Sequence, residues 1–256
     1  MNILEDFNIG IIIPNFNKAE NLDECINSVI NQTYKNWSLY IIDDFSNDNS
    51  LSILDKYKKH KNIRIIKLYK NKGPSFCRNL GIRISKSKYI AFLDSDDKWT
   101  SDKLEKQIKF MALKGYNFTY TDYINIYENR YPVKYSYTKV KESFSYSDFI
   151  RNSSINSSTM ILSRDLLTKY KFKKLNLLED YLFKCKILKD RNIAHKYHGH
   201  LAYYRINNKN RSINKILNIL YLWNINRKFN NLSIFQNIKS VFFISYNALV
   251  KYGFKK

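Results

Sequence analysis

Four short apolar runs, at residues 9–13, 39–42, 63–68 and 89–93, punctuate the first hundred residues. Helical stripes separate them: Leu22, Cys25, Ile26, Val29 and Ile30 in the first interval, Leu51, Leu54 and Tyr57 within 48–59, and Phe76, Leu80 and Ile84 within 75–85. Short apolar runs read as buried strands and the stripes as amphipathic helices. Strands alternating with helices imply parallel strands joined by right-handed crossovers, so an α/β architecture with a mostly parallel, Rossmann-like sheet flanked by helices is expected.

Three of the runs end in residues suited to chemistry: Pro14-Asn15, Asp43-Asp44 and Asp94-Ser95-Asp96-Asp97. In a parallel sheet these ends share the carboxyl edge, where open α/β folds bind ligands. Three carboxylates within four residues repel one another, and a hard divalent cation carrying phosphate oxygens relieves that repulsion. An acidic turn is the competing reading. No Gly-x-Gly-x-x-Gly follows the first run, which disfavours a dinucleotide fold of the dehydrogenase kind.

Beyond Trp99 the alternation loosens. A helix carrying Leu104, Ile108, Met111 and Ala112 precedes a Tyr-rich β stretch at 116–127, a short strand at 159–162 and a helix at 177–188 that opens on Glu179-Asp180. Two amphipathic helices are expected from Ile213 onward, the second with Phe235, Ile238, Phe242 and Leu249 on one stripe. The net charge is +22, and it is unevenly spread: no Asp or Glu follows Asp190, whereas twelve Lys and Arg do. Such a tail favours anionic partners. It suits an anionic membrane surface, or else a helical subdomain packed on the body. Nucleic acid is not expected, because no binding module is present and acids crowd the candidate site.

Cys25, Cys77 and Cys185 have neither metal-ligand nor redox spacing and read as reduced, buried thiols. The N-terminus lacks the basic flank and apolar core of a signal peptide, and no apolar run reaches the ~20 residues of a spanning helix. A cytoplasmic location, peripheral on the inner face of the cell membrane, is the expectation.

The motifs, taken in order, carry a resemblance. Ile11-Ile12-Ile13-Pro14-Asn15-Phe16-Asn17, Gln32-Thr33-Tyr34, Ile41-Ile42-Asp43-Asp44-Phe45-Ser46-Asn47-Asp48, Asn71 to Asn79, Leu93 to Asp97, Leu178-Glu179-Asp180 and Tyr204-Arg205 resemble the family 2, GT-A-type glycosyltransferases. The resemblance implies an inverting enzyme that moves one sugar from a nucleotide sugar, typically a UDP-sugar, to a glycan or lipid-linked acceptor of surface-polysaccharide type. It implies that Asp44, with Asp43 beside it, receives the base; that Pro14 and Phe16 wall the nucleoside; and that Lys72 and Arg78 approach the nucleotide. Asp94 and Ser95 belong to the donor site. Asp96, with Asp94, corresponds to ligands of Mn²⁺ or Mg²⁺, and Asp97 is read as a dispensable neighbour. Asp180 corresponds to the general base, and Glu179 to a residue that positions it or the acceptor. Residues 1–211 then form the catalytic domain, with a nucleotide-sugar half to about 100 and an acceptor half to about 211, and 212–256 form a basic helical extension.

The pattern has one departure: Asn207 stands where many relatives have a His after the Tyr-Arg motif, so a third protein ligand to the metal is in doubt. His195, His198 and His200 lie on one extended segment with mixed facing, which leaves at most two to converge on a metal. A non-catalytic scaffold of the same fold, or a basic nucleic-acid-binding protein, is the alternative function.

Overall fold

A computed structural model describes residues 7–127, 134–206 and 215–252. The first half runs β1 (Ile9–Asn15), α1 (Ala19–Ile30), β2 (Trp37–Asp43), α2 (Ser50–Asp55), β3 (Ile63–Lys67), α3 (Pro74–Ile84), β4 (Tyr89–Phe92), β5 (Lys98–Trp99) and α4 (Lys103–Lys114). It continues through β6 (Phe118–Tyr127), β7 (Lys134–Thr138), β8 (Ser143–Phe144), α5 (Tyr146–Phe149), β9 (Ile161–Ser163), α6 (Arg164–Lys169), α7 (Glu179–Lys189), β10 (Ala194–Ile206), α8 (Lys215–Lys228) and α9 (Ile234–Tyr252).

Strands β3, β2, β1 and β4 lie side by side and parallel, as the apolar runs imply. Ile11, Ile12, Ile13, Leu39, Ile41 and Ile42 have no exposed surface, because helices cover both faces of the sheet. Helix α1 buries Leu22, Cys25, Ile26 and Val29. Helix α3 approaches β1 closely at Gly81, where an added Cβ would stand 2.6 Å from Ile12. Helix α2 is only six residues long, shorter than the 48–59 stretch its stripe suggests.

Past β4 the sheet stops being parallel. The short β9 pairs antiparallel with β4 and with β6, while β10 runs parallel to β6 and antiparallel to β5. Both halves of the chain therefore share one mixed sheet. Gln32 ties α1 across to the second half: its amide donates to the carbonyl of Thr100 (2.6 Å), and its Oε1 accepts the Leu104 N–H (3.0 Å). A fully buried amide with both ends satisfied costs nothing in lost hydrogen bonds and locks the entry to α4. The boundary expected at 211/212 falls outside the described residues.

The core also holds a lysine without a counter-ion among the described residues. Lys103 is fully buried; its ammonium donates to Gln107 Oε1 (2.8 Å) and lies 4.2 Å from the Trp99 ring centroid. Burial pushes its pKa down to about 7. The unfolded chain holds that proton up to the ordinary Lys value of ~10.4, so between the two values it binds more protons than the fold, and stability climbs with pH. Lys103→Met is therefore expected to raise Tm by several degrees at about pH 6. The gain should shrink as pH rises toward about 10. Differential scanning fluorimetry of both proteins across that range checks this, and a variant no more stable than wild type at the acid end contradicts it.

Candidate active site

The carboxyl ends of β1, β2 and β4 converge as a parallel sheet requires. At the end of β2, Asp43 is 1% exposed and closed within the protein: Asn15 Nδ2 (2.8 Å) and Ser46 Oγ (2.6 Å) donate to its Oδ2, and the Ser46 N–H (3.0 Å) to its Oδ1. Asp44 is also buried, and it accepts the backbone N–H groups of Lys72 (2.7 Å) and Gly73 (2.8 Å), one on each oxygen. Gly73 has φ +86°, a backbone region that disfavours side chains, and caps α3. Asp44 thus shapes the loop that leads into α3 while retaining lone pairs for a ligand.

Around these acids stand aromatic side chains. Phe16 is 44% exposed, Phe45 55% and Tyr69 74%. The Lys72 ammonium lies 4.3 Å from the Phe76 ring centroid and 5.1 Å from that of Tyr69. Phe45 sits at φ +68°, where a bulky side chain costs on the order of 1–3 kcal/mol. Strain of this kind concentrates at ligand sites. Sequence patterns alone do not single out Phe45 and Tyr69; the available signal is a large aromatic in a polar loop just past a strand end.

Helix α3 presents Arg78, 5% exposed, toward the end of β4. Its Nη2 donates to Asp94 Oδ1 (2.7 Å) and its Nη1 to Glu179 Oε1 (3.3 Å), joining segments 101 residues apart in the second case. Burial opposes the guanidinium's charge, but Asp94 and Glu179 outweigh it and hold its pKa above the ordinary range. Asp96 pairs with Lys18 (2.6 Å), a residue of the β1–α1 loop that no sequence motif marks. Pro14 is half-buried at the same edge, and Ser95 turns inward at 4% exposure.

Asp97, expected to be a dispensable neighbour, is tied into the fold. It is 1% exposed, and its carboxylate accepts the Ser158 hydroxyl (2.5 Å) and the Arg205 N–H (3.0 Å). Ser158 in turn accepts the Asp94 N–H (3.1 Å). Asp97 therefore stitches the acidic turn to β10 and to the 3-10 turn Ser157–Thr159. Burial first, then the neighbouring Asp96 and Asp94, push its pKa well up. This contact gives Tyr204-Arg205 its place among the motifs, and the Arg205 guanidinium pairs with Glu24. Asn207 lies outside the described residues.

Asp180 opens α7 with a third of its side chain exposed (35%). Lys184, one turn on and 2% exposed, donates to Asp180 Oδ2 (2.7 Å) and to the Ile155 carbonyl (2.7 Å). Burial would raise the Asp180 pKa, but the Lys184 ammonium, then Arg78, outweigh it and bring it to about 2. Glu179, 7% exposed, faces Arg78. Of the expected catalytic and donor-site acids, Glu179 and Asp94 are thus linked through Arg78.

The histidines take other duties: His195 stacks on Tyr116, His198 pairs with Glu142 at the surface, and His200 lies edge-on to Tyr137. The three cysteines are buried and unpaired. Among the described residues, no three His, Cys, Asp or Glu side chains group so as to hold a metal by themselves. The acidic turn nevertheless suits Mg²⁺ or Mn²⁺. Asp94 and Asp96 are hard oxygen donors, the Lys18 ammonium already occupies a cation's place on Asp96, and such ions bind through one or two carboxylates plus substrate phosphates.

Comparison with known proteins gives the family. The family model described as Glycosyl transferase family 2 matches residues 10–184. The chain belongs to that family. It is a glycosyltransferase. Among similar curated proteins is the Escherichia coli UDP-Glc:alpha-D-GlcNAc-diphosphoundecaprenol beta-1,3-glucosyltransferase WfgD, 32% identical over 226 residues, covering 87% of this chain and 86% of WfgD. Among solved structures, S. aureus TarS 1-349 in complex with UDP-GlcNAc superposes with a TM-score of 0.72 at 18% identity, covering 96% of this family 2 chain and 76% of TarS 1-349. The mannosyltransferase PcManGT from Pyrobaculum calidifontis, in complex with GDP-Man and Mn²⁺, gives 0.68 at 15%, covering 92% and 69%. These structures share the GT-A-like fold: a mixed, largely parallel sheet flanked by helices, followed by further helices.

Proposed function

We propose that this glycosyltransferase transfers one sugar, with inversion, from a UDP-sugar to a hydroxyl of a lipid-linked or surface-polysaccharide acceptor at the inner face of the cell membrane. The observation that carries the reading is the Arg78 bridge, which holds the donor-side Asp94 and the acceptor-side Glu179 on one guanidinium. UDP and a diphosphoundecaprenol acceptor stand in the name of WfgD, and UDP-GlcNAc in the TarS complex. Among the described residues, no helix is long and apolar enough to cross a membrane.

In this reading the exposed Phe16 packs on the nucleoside beside Pro14, and the free lone pairs of Asp44 receive an N–H of the base. Asp43 holds the turn on which Asp44 sits. Lys72 lies beside the same site and meets phosphate charge. Asp96 and Asp94 would hold a divalent cation, which when bound supplies Lewis-acid stabilisation of the departing diphosphate. Lys18, which pairs with Asp96, would give that carboxylate up to the cation or add a second positive charge beside the phosphates. Asp180 takes the proton of the acceptor hydroxyl. A carboxylate held near a pKa of 2 is a weak base toward a free alcohol. It suffices for a hydroxyl that turns acidic as its bond to the anomeric carbon forms, provided it stays ionised at every working pH. Attack opposite the leaving group gives inversion.

Thermal stabilisation tests the donor half without needing the acceptor, since a ligand bound to the native state raises Tm. UDP with Mn²⁺ is expected to stabilise the protein more than UDP alone, and Asp96→Ala is expected to remove the Mn²⁺-dependent increment. An increment of the same size in the variant would displace Asp96 from the cation site.

A further inference from the structure

Helix α9 is mounted inside out. Its inward face carries Asn237 and Ser240, 0% and 1% exposed, with Val241 and Ile244 partly buried beside them. Polar contacts hold that face: Asn226 Nδ2 of α8 donates to Asn237 Oδ1 (3.0 Å) and Ser240 Oγ (2.9 Å), and Asn237 Nδ2 donates to the Trp223 carbonyl (3.1 Å). The outward face carries Phe235 (73% exposed), Ile238 (52%), Phe242 (62%) and Tyr246 (56%), spaced three and four residues apart. Phe235, Ile238 and Phe242 of the stripe legible in the sequence therefore face away from the core, and its Leu249 is half-buried. A helix of a water-soluble surface does the reverse. Helix α8 adds Ile216 and Leu220, both more than half exposed. Apolar surface of this extent marks an interaction site.

We propose that this face docks the protein on an anionic lipid bilayer, with α9 lying in the interface plane. Charge selects the occupant. No acidic residue follows Asp190, against twelve basic ones. Lys239 stands 5.5 Å from the Phe235 ring, and Arg227 and Lys228 are exposed at the end of α8. Basic side chains beside an outward apolar stripe are the composition of an interfacial helix. A groove of ≈ 270 Å³ opens at the foot of α9, with Ile150 and Leu232 as apolar walls and Arg151 and Lys239 as cations for a headgroup phosphate. A second copy of the chain fits worse, because a two-fold contact would set these like charges against one another. The docking face also has a fixed relation to the site: Tyr181 Oη of α7 donates to Asn226 Oδ1 of α8 (2.8 Å), one residue beyond Asp180. Docking therefore holds Asp180 at a set height above the bilayer. This docking rests on the membrane placement proposed above, while its helix geometry holds for any sugar the site transfers.

Co-sedimentation of the full chain with phosphatidylglycerol-containing vesicles tests it, with pure phosphatidylcholine vesicles as the second arm. The protein is expected to pellet with the anionic vesicles and to be released as salt shortens the Debye length to about 3 Å. The double variant Phe235→Ser/Phe242→Ser is expected to weaken partitioning about tenfold or more, on the transfer scale for two aromatic side chains. Lys239→Glu leaves the apolar stripe intact and is expected to weaken binding to anionic vesicles alone. Stabilisation by UDP should be unchanged in both, which separates loss of docking from loss of the donor site. Equal binding by wild type and the double variant overturns the proposal, as does equal pelleting with both lipids. A wild-type dimer that the double variant dissolves, seen by light scattering without lipid, also overturns it and assigns the face to a second copy.

Discussion

Asp180→Asn is expected to lower kcat by about 10³–10⁴-fold while leaving the donor KM within about threefold of wild type. The amide is nearly isosteric but takes no proton from the acceptor. Lys184 loses its ionic partner yet keeps its hydrogen bond to the Ile155 carbonyl, so the helix start survives. A steady-state assay of UDP release with acceptor checks this, and a loss below about tenfold would remove Asp180 from the role of base. Lys184→Met sharpens the same test. In wild type the carboxyl stands near 2 because the ammonium beside it favours its charged form. Deleting that ammonium leaves burial and Arg78 in opposition, so the pKa rises. The variant should gain an acidic limb in kcat/KM above about pH 4, where wild type has none from this group. An unchanged profile would show that Lys184 serves only to pack α7.

Arg78→Leu is expected to be the most destabilising single substitution at the site. It removes the cation shared by Glu179, which is 10% exposed at its side chain, and half-buried Asp94. Removing one partner of a buried ion pair costs about 3–5 kcal/mol, which for a chain of this size lowers Tm by about 10 °C. The pH dependence identifies the cause. Losing a cation favours the protonated form of the carboxyls it held, so the folded variant takes up a proton that the unfolded chain releases. The stability gap to wild type should therefore narrow as pH falls through the carboxylate range. Thermal melts between about pH 4 and 7.5 measure it, and a gap that does not change with pH would place the loss in packing against Phe172, whose ring centroid lies 5.3 Å from the guanidinium carbon. Arg78→Lys should restore little of the loss, since one ammonium on a shorter reach does not bridge two carboxylates with separate nitrogens.

Much of the site is legible in the amino-acid sequence. Asp44, Asp94, Asp96 and Asp180 each follow or open a predictable element, and a parallel sheet forces strand ends to one edge. The parallel strands β1 to β4 follow from the same periodicity. The antiparallel β9 inserted between β4 and β6 does not, because three residues carry too little pattern to reveal direction. The sequence pattern misleads at Asp97 for a clear reason. Adjacent residues in a turn point in different directions, and only the arrival of Ser158 and the Arg205 backbone, 61 and 108 residues away, makes Asp97 interior. Lys18 and Lys184 go unmarked for a similar reason: among so many lysines, none is distinguished until a carboxylate lies within reach.

The sequence by itself determined which residues share a helix face or a strand end, because side-chain periods of 3.6 and 2 are local properties of the backbone. It therefore determined the parallel strands, their acidic edge and the apolar stripe of α9. Only the tertiary structure decided how charges are matched, with Arg78 between Asp94 and Glu179, Lys18 on Asp96 and Lys184 on Asp180. It also decided that α9 turns its stripe outward. Periodicity states that a helix has two faces but not which of them is inward. That choice fell to the Asn226, Asn237 and Ser240 hydrogen bonds, which satisfy buried polar groups that water would otherwise have to reach.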